Sequence, residues 1–128
     1  MLLEYFKYKK LDLLVIMTKF GLYTESPKIP FETHLYGLDE PIKKQLIDLR
    51  EFVKDLGMNV IEEIRPHRIA YSKTITFRVF LDIKPTKEEL IVSIRIDRQN
   101  PYTTYKVNHR FDLTDIKKEI ESAYNNIS

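Results

Sequence analysis

"RPHRIAYSKTITFRVF", residues 65–80, is the stretch on which the reading of the fold turns. It sets three arginines, one histidine, one lysine and three aromatic rings around an apolar pattern. From Ile75 the pattern has a period of two. Ile75, Phe77, Val79, Leu81 and Ile83 alternate with Thr76, Arg78, Phe80 and Asp82, as expected of a strand with one buried face. Upstream, Val60 to Arg65 reads as a strand broken at Pro66, and Arg68 to Ser72 continues it or pairs with it. Downstream, Pro85-Thr86-Lys87 makes a turn. Leu90, Val92, Ile94 and Ile96 then alternate with Ile91, Ser93, Arg95 and Asp97. After a second turn at Asn100-Pro101, Tyr105, Val107, His109 and Phe111 alternate with Lys106, Asn108 and Arg110.

Helical spacing brackets these strands. Ile42, Leu46, Leu49, Val53 and Leu56 form one apolar stripe; Asp39 is the expected cap, Pro41 suits the first turn and Gly57 the stop. Ile116, Ile120, Tyr124 and Ile127 form a second stripe, in a helix starting near Asp112 or Thr114. Short sequential connections favour an antiparallel arrangement. The expected fold is therefore α+β: an antiparallel meander of four to five strands, with an N-terminal and a C-terminal helix packed on one face. Residues 24–38, with two prolines and a glycine, read as irregular chain. The expected organisation is an N-terminal arm over 1–33, partly disordered, and a single domain over 34–128.

Composition narrows the function classes. A chain of 128 residues, 43% hydrophobic and 31% charged, suits one soluble domain. A net charge of +2 is too small by itself to imply a polyanion partner. The absence of cysteine excludes disulfides, thiolate nucleophiles and Cys-ligated zinc, and fits a reducing cytoplasm. Abundant Ile, Lys and Glu, with glutamine only at Gln45 and Gln99, resembles a thermophile's composition. In MLLEYFKYKKLDLLVIMTKF, lysines follow the first apolar residues and Asp12 precedes a run of only five, so the expectation is neither a targeting signal nor a membrane span. Met17 is an alternative start that would make the first sixteen residues dispensable.

"HLYGLDEPIKKQLIDLREFVKDLGMNVIEEIRPHRIAYSKTITFRVFLDIKP", "ELIVSIRID" and "DLTDIKKEIESAY" together resemble a family of uncharacterised domains often labelled "predicted transport protein". The points of resemblance are Leu56-Gly57, Ile69-Ala70-Tyr71, Phe77, Ile94-Arg95-Ile96 and Ala123-Tyr124, within roughly residues 34–125. Where the family often has Gly, His and Trp before the last strand, this chain has "NPYTTYKVNHRF". The resemblance implies no set activity. Fusion of some members to restriction-nuclease-like domains implies a nucleic-acid setting.

Motif chemistry points away from an enzyme. The histidines, His34, His67 and His109, lack metal-ligand spacing, no G-x-S-x-G occurs, and three glycines cannot build a phosphate-cradling loop. No catalytic residue, metal or cofactor is expected. Asp48, Glu51 and Asp55 are interleaved with Lys44, Arg50 and Lys54, the pattern of paired solvated charges.

Charge is concentrated in the strands. Residues 60–111 hold ten Lys/Arg and six Asp/Glu, against net −1 for 39–56 and −2 for 112–128. Alternation places Arg78, Arg95, Lys106 and Arg110 on the face away from the helices, with Phe80, Ile91 and Tyr102 among them. Arginines interleaved with rings on an open sheet suit single-stranded nucleic acid. The plainer alternative is a solvated face of long amphipathic side chains. A third is a protein interface, with Phe80 and Ile91 buried in a homodimer. The expected function is a non-enzymatic accessory domain that binds nucleic acid, or a protein acting on it, through this face. The competing expectation, from another class, is a small-ligand or metal-binding pocket between sheet and helices lined by Tyr71, His67 and His109.

Overall fold

The structure, a computed structural model, describes residues 29–74, 78–97, 99 and 101–127. Residues 1–28 of the arm expected over 1–33, together with Ile75 and Phe77, lie outside the described residues. In chain order come a 3-10 helix (Phe31–Leu35), helix α1 (Glu40–Lys54), strands β1 (Val60–Ile64), β2 (Ile69–Lys73), β3 (Arg78–Pro85), β4 (Leu90–Ile94) and β5 (Thr103–Val107), and helix α2 (Leu113–Asn126). The strands form one five-stranded antiparallel sheet in the order β1-β2-β3-β4-β5. This is the expected α+β meander. Arg65–Arg68 is a turn, closed by Arg65 N–H donating to the Arg68 carbonyl, so β2 pairs with β1 rather than continuing it.

Each helix forms for local reasons and is held by its apolar stripe. Asp39 precedes α1 with an extended backbone, and its carbonyl accepts from the amides of Ile42 and Lys43; its side chain makes no cap bond. At α2 the Asp112 side chain does cap, accepting from the Thr114 amide at 2.9 Å. Ile42, Leu46, Leu49 and Val53 of α1, and Ile116, Ile120 and Ala123 of α2, join Ile69, Tyr71, Leu81, Ile83, Leu90, Val92, Ile94 and Val107 of the sheet in one core. Burying each large side chain contributes about 1.5–3 kcal/mol. Lys117 of α2 pairs with Asp48 of α1 at 2.9 Å across the helix pair.

The packed unit reaches back before His34. Phe31 is 6% exposed and belongs to the core. The Arg50 guanidinium lies 4.1 Å from the Phe31 ring centroid, and His34 Nε2 is 2.7 Å from the Arg65 carbonyl oxygen. Gly37 then turns the chain at φ +79°, a conformation suited to glycine.

The last two helical landmarks of the sequence meet. Gly57 does not need glycine for its own dihedrals; it needs it because the Tyr124 hydroxyl of α2 occupies the space a Cβ would take. Gly57→Ala should therefore destabilise by about 1–3 kcal/mol, as overpacking does. Tyr124→Phe removes the conflicting oxygen, so the same substitution in that background should cost clearly less; denaturant titration of the four proteins measures the coupling. At the sheet centre, Ile94 is 2% exposed, and Ile94→Ala should cost about 2–5 kcal/mol by the same measurement.

Candidate functional site

Strand register fixes which side chains face solvent. Tyr71 pairs with Leu81, but Ser72 pairs with Val79, so Phe80 is an extra residue in β3, a β-bulge. The bulge turns Phe80 to the helix side with Leu81. Phe80 is fully buried, its ring edge-on to Tyr124 of α2 with centroids 5.6 Å apart. Beyond the bulge the alternation is inverted. Arg78 pairs with Lys73, whose ammonium lies 4.7 Å from the Tyr124 ring centroid on the helix side.

Two members of the expected basic face are thereby relocated: Phe80 is core, and Arg78 sits on the helix side. Arg110 leaves the sheet for a different reason. β5 ends at Val107, and the Asn108 side chain accepts from the Arg110 amide, making a turn where continued alternation was expected. Arg95 and Lys106 remain on the outer side. Arg95 lies just past β4, with its guanidinium 5.7 Å from the Tyr102 ring centroid. Lys106 pairs with Ile91, which pairs in turn with Lys84. Lys84 is the residue that sequence reasoning missed; its signal was the alternation Ile83 in, Lys84 out.

The outer face thus has three tiers. Lys84, Ile91 and Lys106 form one row across β3, β4 and β5. The next row is Glu63, Ala70, Asp82, Ser93 and Thr104, with Asp82 held by Arg68 at 3.0 Å and Glu63 by Arg65 at 2.9 Å. The third runs through Ile61, Ser72 and Val79. Carboxylates in the middle tier are engaged by arginines, while the end row carries two exposed lysines.

The pocket expected between sheet and helices is closed at Tyr71. Tyr71 is fully buried, and its hydroxyl donates to Glu62 Oε2 at 2.8 Å. Arg50 donates to both Glu62 oxygens, Nε at 2.8 Å and Nη2 at 3.0 Å. Burial alone would raise the Glu62 carboxyl pKa; the bonds from Arg50 and Tyr71, with the charges of Arg50 and Lys54, outweigh it and hold the value below normal. Burial first, then the Glu62 carboxylate, push the Tyr71 phenol far above its ordinary value. A phenol so placed is a structural donor, not an acid at neutral pH.

The two histidines do not converge on it. His67 is exposed in the β1–β2 turn and His109 in the turn after β5, at opposite sides of the sheet. His109 and Arg110, with Asp39, Pro41, Ile42, Glu88 and Asn108, line an open cleft of about 520 Å³ at the start of α1. Among the described residues no cluster of three or more His, Asp or Glu could hold a metal. No helix among them is long and apolar enough to cross a membrane.

No protein-family model, curated protein or solved structure matches this chain.

The Glu62 cluster sets an acid sensitivity. A carboxyl whose folded pKa is lowered contributes stability above its ordinary titration range and loses it as pH falls through the folded value. Glu62→Gln should cost about 1.5–3 kcal/mol at neutral pH and flatten the loss of stability as pH falls below the ordinary glutamate range. Urea titrations at several pH values would show both effects.

Proposed function

We propose that this protein is a non-enzymatic binding domain that takes single-stranded nucleic acid on the outer face of its sheet. The observation that carries the reading is the row Lys84–Ile91–Lys106, with Arg95 against Tyr102 two tiers farther along the same face, about 13 Å away. Lys84 and Lys106 stand two strands apart, about 10 Å. Both are exposed on long stems that can follow a phosphate backbone, and Ile91 between them is an apolar floor. Tyr102, 40% exposed, offers a ring on which a base can stack. The face carries one such ring where the sequence had promised Phe80 as well, so affinity comes chiefly from charge. The resemblance to the "predicted transport protein" domains, with their restriction-nuclease-like fusions, agrees with a nucleic-acid setting. A cytoplasmic location agrees with it too.

Single-stranded DNA or RNA should bind weakly at low salt, with a log–log salt slope of about −2 if Lys84, Arg95 and Lys106 each meet one phosphate. Lys84→Glu with Lys106→Glu should weaken binding and flatten that slope. Tyr102→Ala should cost about 1–3 kcal/mol of binding. Fluorescence anisotropy across a salt series reads all three. Absence of binding at low salt, or binding indifferent to these changes, would exclude the reading and leave a protein partner for the face.

A further inference from the structure

The lysine row on the outer face continues toward β2. Ile69 pairs with Ile83, so Arg68, one residue earlier, stands beside Lys84, one residue later. The row is then Arg68–Lys84–Ile91–Lys106 and crosses four strands over about 14 Å. Its three cations are not equivalent. Lys84 and Lys106 make no ion pair among the described residues. Arg68 Nη1 donates to Asp82 Oδ2 at 3.0 Å. Asp82 belongs to the adjoining tier of the same face, opposite Ala70 and Ser93.

We infer that Asp82 competes with phosphate for Arg68, so that the basic row holds one contact more than the native chain uses. The inference rests on the nucleic-acid reading of this face. The Arg68 side chain is 49% exposed, and an exposed ion pair contributes little to stability, so exchange of its partner is cheap. Asp82 engages one N–H of the guanidinium, which leaves most of a donor fork suited to phosphate oxygens open. Asp82 nevertheless holds the advantage. Its side chain is 19% exposed, on a strand paired on both sides, so it is already in place. A nucleic-acid strand must lose freedom to reach the same guanidinium. The Asp82 charge also repels a phosphate that approaches between Arg68 and Lys84. A strand drawn to the lysines therefore meets, at the β2 end of the row, an arginine that is already neutralised. The row binds less tightly than its cations allow, and the bound strand exchanges readily.

Anisotropy with a single-stranded oligothymidylate of about ten nucleotides tests this on four proteins: native, Asp82→Asn, Arg68→Gln and the double variant. Asp82→Asn keeps the shape of the side chain and removes its charge. It should tighten binding at low salt on the order of threefold to tenfold and steepen the log–log salt slope by about 0.7, the signature of one added phosphate contact. In the Arg68→Gln background the same change should do much less. Nothing there draws a phosphate to the place, and the removed charge acts only at a distance, through salt screening. Thermal melts confirm the fold of each protein, and Asp82→Ser takes the place of Asp82→Asn in the cycle where the amide disturbs β3. An equal response in the two backgrounds, or a slope that Asp82→Asn leaves unchanged, overturns the inference; binding that still depends on Lys84 and Lys106 then keeps the nucleic-acid reading. Absence of binding in all four proteins overturns both.

Discussion

The structure depends on one half-buried carboxylate. Glu62 points toward the helices from an edge strand, where alternation along β1 would call for an apolar residue between Val60 and Ile64. With 13% of its side chain exposed, it loses most of its hydration, a cost of several kcal/mol. Two bonds from Arg50 and one from Tyr71 offset that cost. Each partner belongs to a different element, so the carboxylate joins α1, β1 and β2 at one point. The other face of Arg50 covers Phe31, which brings the 3-10 helix into the same assembly. Val60 and Ile64 pack against the core and favour the same register, and the ion pair adds a directional requirement to theirs. A one-residue slip of β1 would move Glu62 to the outer face and strand Arg50 against the core.

The second constraint is steric and lies in Val79-Phe80-Leu81. Three consecutive large apolar residues cannot alternate without leaving one in water. The bulge settles which one it is: the larger Phe80 and Leu81 both go to the core, and the smaller Val79 is left half-buried on the outer face. Everything N-terminal of it in β3 then faces the opposite way to a regular strand, and Arg78 crosses to the helix side with it. A local packing problem in the core thus decides the chemistry of the solvent face.

This explains how much could be read beforehand. The element types, their order and the buried stripe of each helix were legible because they rest on periods of 3.6 and 2 that persist over many residues. Leu90, Val92 and Ile94 pointed inward as their alternation required. Register past a bulge was not legible, since one inserted residue reverses the sense of alternation without changing its period. The apolar run at 79–81 was the available signal. Arg110 was misplaced for want of turn chemistry: Asn108 followed by two polar residues offers a side-chain turn that competes with the ladder. Glu62 was not legible as an inward, paired group. Its partner Arg50 lies twelve positions away on a helix, and only the packing of α1 over β1 brings them together.

The two ends of the sheet are joined to the helices by the same kind of contact in different proportions. At β1 the carboxylate belongs to the strand, and Arg50 of α1 and Tyr71 of β2 come to it. At β5 the strand supplies the phenol and α2 the carboxylate: the Tyr105 hydroxyl bonds to Glu119, and that bond holds the Tyr105 pKa up at about 12. A hydrogen bond to a charged group is directional, so each edge strand is fixed against its own helix by a contact that apolar packing alone does not supply.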